Sequence, residues 1–278
     1  MNRPHRFRPG QILSHVILLF LAFLFMFPFY VMIVTSVRSP AELFVPEFRW
    51  LPESFTGLRY YIQAVADIPA LTFLKNGVLI SGGILIVQLL TAIPCAYALA
   101  KFEFRGRDLL FALVLFSLTV PIQAPALPLF LGLNAIGAID TYFAAMVPFF
   151  LSVFAIFLFR QTFRTYPDEI IQAARLDGMS EWAILWTVVV PGCLPSVAAF
   201  SIFSVTAHWN DLYWPMVVIR SNDLMTPPLG LAFFADSESG ANYGALMAMA
   251  TILTAPLMIG FLLAQRHFIR GITMTGVK

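Results

Sequence analysis

The chain has 278 residues, 59% of them hydrophobic and 12% charged, with a mean hydropathy of +0.82 and a formal net charge of +2. Soluble domains carry about 25% charged residues, so this composition excludes a water-soluble globular protein, and so small a positive charge leaves no nucleic-acid footprint. What remains is an integral membrane protein.

In chain order, residues 12–37 form the first apolar stretch. It is too long for a signal-peptide core and no small-residue cleavage pattern follows, so it reads as a retained span, a removable signal being the alternative. Residues 76–100, 109–131, 141–159, 191–209 and 241–265 are further candidates, each near the roughly 20 residues a helix needs to cross about 30 Å of hydrocarbon. None of the six contains Asp, Glu, Lys or Arg. The expected fold is all-α, with six transmembrane helices in a single domain over 1–278. His15 stands alone in the first span and reads as a packing or interfacial histidine.

The connection 38–75 carries Pro40, Pro46, Pro52 and Pro69 among the aromatics Phe44, Phe48, Trp50, Tyr60 and Tyr61. It reads as short helical turns on the membrane surface with aromatics at headgroup level. The third span contains Pro121, Pro125 and Pro128, with Gln123 between the first two. Prolines at this density break the helical ladder, and the freed carbonyls need protein or water. Either an interrupted helix beside an aqueous pathway or a purely structural kink fits.

The polar stretch 160–190 is the most informative. Pro167, Asp168 and Glu169 suit a first helical turn, Gly178 a left-handed stop, and Ser180 with Glu181 the start of a second helix. Ala173 and Ala174 keep one side slim enough for another protein to approach. A membrane protein that concentrates its polar residues in such a helix–Gly–helix element is expected to exchange something across an interface there.

The fifth span ends in His208-Trp209-Asn210-Asp211-Leu212-Tyr213-Trp214-Pro215. Aromatic faces beside amide and carboxylate groups suit a sugar-like ligand, and Trp209, Asn210 and Asp211 are the candidates; an aromatic belt is the alternative. The connection 220–240, with Pro227, Pro228, Leu229, Gly230 and an acidic Ser/Gly stretch, reads as a mobile loop, with a loop that touches an external partner as the sharper alternative.

Of the 17 Lys and Arg residues, twelve fall on one side: Arg3, Arg6, Arg8, Lys101, Arg105, Arg107, Arg160, Arg164, Arg175, Arg266, Arg270 and Lys278. The positive-inside rule makes that side, with both termini and the helix–Gly–helix element, cytoplasmic. Cys95 and Cys193 read as packing residues, since two cysteines at this spacing build no disulfide framework or metal site. No G-x-x-x-x-G-K-[ST] phosphate loop occurs, no catalytic grouping stands out, and the spans lack the ionisable residues that ion-coupled carriers use. Energy for uphill transport would arrive from another subunit.

Gln172-Ala173-Ala174, then Asp177-Gly178, then Pro191 and Pro195, resembles the EAA loop of binding-protein-dependent ABC importer permeases. The resemblance covers roughly 9–278 and is closest to the carbohydrate-type permeases, both the maltose-type inner subunit and the glycerol-3-phosphate-type subunit. Phe104-Arg105-Gly106-Arg107-Asp108, Trp209-Asn210-Asp211 and the tail from Gln265 to Thr273 carry that subgroup. Gln172 replaces the family glutamate, and Val190 stands where leucine usually precedes the proline.

The resemblance implies a type I permease fold in the bacterial cytoplasmic membrane, and no catalytic activity on this chain. Gln172, Ala173, Ala174, Asp177 and Gly178 would form the coupling helix seated in a cytoplasmic ATPase. Expected partners are a second permease subunit, two ATPase copies holding the ATP and Mg, a soluble solute-binding protein and membrane lipids. Pro227–Gly230 would lie in the outer loop that meets the binding protein, and the tail 271–278 near the ATPase dimer interface. Trp209 and Asn210 align with sugar-contacting positions of the companion maltose-type subunit. A self-sufficient carrier or channel, and a membrane scaffold without transport, are the competing readings.

Overall fold

The computed structural model describes residues 9–43, 49–121, 123–237 and 242–273, with the side chains of Pro9 and of 264–273 left aside. Phe44, Phe48, Arg3, Arg6, Arg8, Glu238, Gly240 and the end of the tail, 274–278, thus lie outside the described residues. Among those described, regular structure is helical apart from an isolated bridge between Arg38 and Phe55. Contacts divide the chain into two compact units, Met1–Ala70 with Phe233–Thr254, and Leu71–Ala232 with Ala255–Lys278.

In the first unit, α1 (Pro9–Thr35) exposes every side chain from Ile12 to Met26. A helix apolar on all sides and uncovered by protein is one that lipid covers. Trp50 returns to it, its ring against Phe23, Phe27 and Tyr30, while the Tyr30 hydroxyl donates to the Trp50 carbonyl. The connection that follows is ordered by Glu42. Its carboxylate accepts from the Ser54 hydroxyl and amide (2.6 and 2.7 Å), the Glu53 amide (3.0 Å) and the Ser39 hydroxyl (3.1 Å). Four donors favour the charged form, with the Ser54 hydroxyl foremost, and hold this carboxyl at about 2. Short α2 (Arg59–Ala66) buries Tyr60 and Ala64, and Gly244 lies so near the Tyr60 ring that an added Cβ would overlap it.

The second unit is built on α3 (Ala70–Lys101), about 47 Å long at 1.5 Å per residue. It buries one ridge at every fourth position: Asn76, Ile80, Ile84, Gln88, Ala92 and Ala96. Ile80 and Ile84 pack with Trp214 and Val218, whereas Ala92, Ile93 and Tyr97 join Phe159, Phe163, Phe200, Ile171 and Ile184.

The expected third span is two short helices, α4 (Arg107–Ser117) and α5 (Ala126–Ala135). Pro121 and Pro125 stand in the break, and Pro125 is the residue that opens α5. The fourth is bent by 44° between the run Tyr142–Phe149, containing α6 (Tyr142–Met146), and α7 (Val153–Arg164). Next come α8 (Asp168–Leu176), α9 (Glu181–Ile184), a π-helical turn Leu185–Val189, α10 (Val190–Gly192) and α11 (Leu194–Trp209). Glu181–Gly192 meets α11 at 82°. Pro191 and Pro195 weaken the ladder there, and Gly192 lets Tyr166 approach so closely that a Cβ would sit 2.5 Å from its ring.

The chain closes with α12 (Tyr213–Val218), α13 (Pro227–Ser237) and α14 (Tyr243–Thr273). The sequence reading made 220–240 a mobile loop; residues 227–237 are instead helical. Pro227 opens that helix, and Gly230 lies so close to Phe73 of α3 that a Cβ would clash with the ring. Of the described helices, Gly10–Thr35, Ala70–Lys101 and Tyr243–Leu263 can each cross a membrane, and each bent pair adds one more if it counts as a single span.

Candidate functional site

The helix–Gly–helix element is fixed locally by capping. Asp168 and Glu169 occupy the first turn of α8 and Arg175 its last, the charge order that favours a helix dipole. At its end the Gly178 amide donates to the Arg175 carbonyl (3.0 Å) and the Met179 amide to that of Ala174 (3.1 Å). This crossed pair is the Schellman arrangement, which needs a left-handed residue, and Gly178 has φ +78°. No atom stands within 4 Å of where its Cβ would be, so backbone conformation selects glycine there, not crowding. The Ser180 hydroxyl then caps α9, accepting from the Ala183 amide at 3.3 Å.

Three polar links join this element to the end of α3 and to itself. Lys101 Nζ donates to the Tyr166 carbonyl (2.7 Å) and to Asp168 Oδ1 (2.5 Å), at the start of α8. One turn earlier on α3, the Tyr97 hydroxyl donates to Glu181 Oε2 (2.9 Å), at the start of α9. Glu181 Oε1 accepts from Arg175 Nε at 2.5 Å, closing α8 onto α9. That last bond holds the Glu181 carboxyl below its ordinary value, against the opposing effect of burial. Nearby, Arg160 Nε donates to the Leu99 carbonyl (3.1 Å) and its guanidinium lies over Phe111, 3.6 Å from the ring centre.

The two faces of the element differ. Ile171, Ala174, Ile184 and Leu185 are buried in the core beneath it. Outward, Leu176 is 89% exposed, Trp182 62% and Ile170 45%, with Gln172, Ala173, Asp177 and Gly178 also exposed. The sequence reading placed both alanines on the slim outer side; Ala173 is there, but Ala174 faces inward because it shares the Ile171 face of the helix. Trp182 and Trp186 pack edge to face on α9 and the π-helical turn.

A cavity of about 460 Å³ opens in the second unit. Phe149, Phe154, Phe200 and Phe203 form its apolar walls, and Gln88, Gln123, Ser152, Ser204, His208, Asp211 and Tyr213 supply its polar groups. Gln88 is the hub. Its Nε2 donates to the Phe149 carbonyl (2.8 Å) and lies 3.2 Å from His208 Nε2, while its Oε1 accepts from Ser204 Oγ at 2.6 Å. Thr91 Oγ1, one turn on, donates to the Phe150 carbonyl at 3.0 Å. These are carbonyls left without helical partners where the fourth span bends; side chains from α3 satisfy them, as a break at membrane depth requires.

Of the four pathway candidates, Gln123 and Asp211 line this one cavity, and Trp209 and Asn210 do not join them. Trp209 is buried on the opposite side of α11 near Gly77 and Pro227, where it lines a second, mainly apolar cavity of about 400 Å³. Asn210 is exposed and its amide turns back to the Thr206 carbonyl at 2.8 Å. Of the residues expected to touch an external partner, Pro227 and Gly230 are buried and Pro228 and Leu229 half-buried. Cys193 is buried as expected of a packing residue; Cys95 is exposed on α3.

Sequence reasoning missed Asn76 and Gln88. Asn76, fully buried, donates to the carbonyls of Asp223 (2.8 Å) and Met225 (2.9 Å) and accepts from the Tyr142 hydroxyl (2.6 Å). The available signal was two amides on the four-residue ridge of an otherwise apolar helix, since an amide buried at that depth must have partners.

Residues 88–274, which take in both the cavity and the helix–Gly–helix element, match the family described as binding-protein-dependent transport system inner membrane component. The chain is 37% identical over 262 residues to the arabinooligosaccharides transport system permease protein AraQ of Halalkalibacterium halodurans, covering 93% of each. It is 29% identical over 266 residues to the lactose transport system permease protein LacG of Rhizobium radiobacter, covering 96% of each. Against the sn-glycerol-3-phosphate transport system permease protein UgpE of Yersinia pestis the figures are 26% over 268 residues, 94% of this chain and 95% of the relative. A crystal structure of a bacterial ABC transporter involved in the import of the acidic polysaccharide alginate superposes with a TM-score of 0.82 at 23% identity, covering 96% of this chain and 100% of that one, and shows a shared fold.

Proposed function

The chain belongs to the binding-protein-dependent transport system inner membrane component family, and on that footing we propose that it is a permease subunit of an ATP-driven importer for a neutral sugar or polyol. It is a multi-pass protein of the cytoplasmic membrane. In this reading it has six spans, the third interrupted and two others bent, with both termini in the cytoplasm. A second permease subunit completes the pathway, two ATPase copies carry the ATP and Mg, and a soluble binding protein delivers the solute from outside.

The observation that carries the reading is the outward face of α8 and α9. An apolar surface of Ile170, Leu176 and Trp182, on an element capped and clamped from behind, suits a partner's cleft; burying one such leucine stabilises a complex by about 1.5–3 kcal/mol. Gln172, Ala173, Asp177 and Gly178 belong to that face, and Ala174 supports it from beneath. Gln172, where the resembled motif has glutamate, would meet the ATPase through neutral hydrogen bonds.

For the pathway we assign the cavity of Gln88, Gln123, Ser204, His208 and Asp211. Among its described lining residues none is Lys or Arg, and Asp211 contributes a carboxylate. That lining favours a neutral polyhydroxylated solute over a phosphorylated or uronate one, in keeping with the arabinooligosaccharide and lactose relatives more than the glycerol-3-phosphate one. The binding protein would meet the exposed Asn222 and Asp223 rather than the buried Pro227 and Gly230.

The test is reconstitution of the chain with its companion permease, ATPase and binding protein in proteoliposomes. Import of a neutral oligosaccharide should require ATP on the ATPase side, and Asp211→Lys should shift selectivity toward anionic solutes. Accumulation of solute by this chain alone on an ion gradient would overturn the assignment.

A further inference from the structure

We infer that Lys101 and Tyr97, one turn apart at the end of α3, are the positioning residues through which movement of the helix–Gly–helix element enters the membrane-spanning helices. The inference rests on the permease reading above and specifies where, within it, the coupling is made.

With nine residues in α8 and four in α9, neither helix is long enough to hold itself in water. Their direction must come from what they are fastened to. The apolar underside provides adhesion, but hydrophobic contact is non-directional and tolerates sliding. The polar contacts do not. Lys101 fixes the start of α8 through Asp168 and Tyr166, Tyr97 fixes the start of α9 through Glu181, and Arg175–Glu181 ties the end of α8 to the start of α9. Three helix ends are thus joined to one turn of α3.

The burial pattern strengthens the point. The Lys101 side chain is only 5% exposed although Asp168 is 74% exposed. Pulling the element away from α3 would break both hydrogen bonds of the ammonium at once, so the lysine and the element are constrained to move together. Tyr97 is also buried, with Phe102 and Phe163 edge-on to its ring, so its hydroxyl is aimed by packing. A push on the outward face of α8 or α9 is therefore delivered to α3, the helix that carries Gln88 at the cavity.

The experiment uses the whole complex in proteoliposomes and reads ATP hydrolysed per solute imported, with co-purification of the ATPase as the assembly control. The double variant Tyr97→Phe with Lys101→Met should raise that ratio by about ten-fold, within the range of an ordinary coupling free energy. The ATPase should still co-purify, and the binding protein should still stimulate hydrolysis. Lys101→Arg, able to reach the same two oxygens, should restore the ratio. An unchanged ratio in the double variant, or loss of transport in step with loss of the ATPase, overturns the inference. Should the double variant fail to insert, Tyr97→Phe alone decides: it keeps the ring packing and removes one hydroxyl, and a wild-type ratio there also overturns it. Failure of the permease reading would look different, because the wild-type complex itself would import nothing on ATP.

Discussion

The side-chain amide of Gln88 donates to the backbone carbonyl of Phe149, 2.8 Å away, at the point where the fourth span turns by 44°. A side chain of one helix thus takes the place of the hydrogen bond another has given up. Gln88→Met keeps the volume and removes the donor. Leaving that carbonyl unpaired should cost about 1–3 kcal/mol, seen as a lower unfolding temperature of the detergent-solubilised complex. An unchanged melting curve would mean that water serves the carbonyl equally well.

Gly178→Val should abolish uptake while the chain still inserts. A non-glycine residue at φ +78° costs about 1–2 kcal/mol, more with a β-branched side chain, and the cost falls on the turn that sets α9 against α8. Uptake assays alongside membrane-fraction blots separate the two effects; wild-type uptake would show that the turn tolerates distortion.

Leu176→Asp tests the exposed face. The side chain is 89% exposed, so the melting temperature of the chain should not change. Affinity for the ATPase should fall by roughly ten-fold or more if the leucine is buried in the partner, since about 1.4 kcal/mol is ten-fold. Equal affinity in a titration of the two purified parts would place the contact elsewhere.

Gly230→Ala should destabilise the packing of α13 on α3 by about 1–3 kcal/mol through overpacking against Phe73. A second substitution, Phe73→Leu, should recover much of the loss in the same thermal assay. Additive damage from the two changes would argue that they do not touch.

The joint between α8 and α9 has a defined pH response. Glu181 is held below the ordinary glutamate value of 4.5, chiefly by the Arg175 hydrogen bond. A carboxyl depressed on folding stabilises at all pH above its unfolded value, and the stabilisation is lost as pH falls through the folded one. Amide-exchange protection of residues 176–182, corrected for intrinsic rate, should therefore be flat from neutrality down to about 4.5 and decline below it. Loss of protection already near pH 6 would point to a different titrating group.

Much of this was legible from residue order because the strongest signals are local. Caps, glycine stops and charge order around α8 depend on residues two to five positions apart, and they are where the sequence places them, except that Pro167 stands just before the helix with ψ 126° instead of in its first turn. Membrane residence follows from composition alone. What the sequence did not reveal depends on facing. Ala173 and Ala174 are equivalent on paper, and only the packing of Ile171 turns one inward. Trp209 and Asp211 look like one cluster, yet two positions along a helical end put them on different cavities. Pro227 to Gly230 carry turn chemistry, but a proline also opens helices and a glycine also permits close packing, and Phe73 lies 157 positions from the glycine it meets.

The corner at Gly192 gives the molecule a crank. Twelve residues from Glu181 to Gly192 make an arm of about 18 Å that meets α11 at 82°. Tyr166 fills the inside of that corner, and at this radius a 1 Å offset of the tip subtends about 3°. A lever of that length trades a small linear offset at its far end for a change of angle at its root.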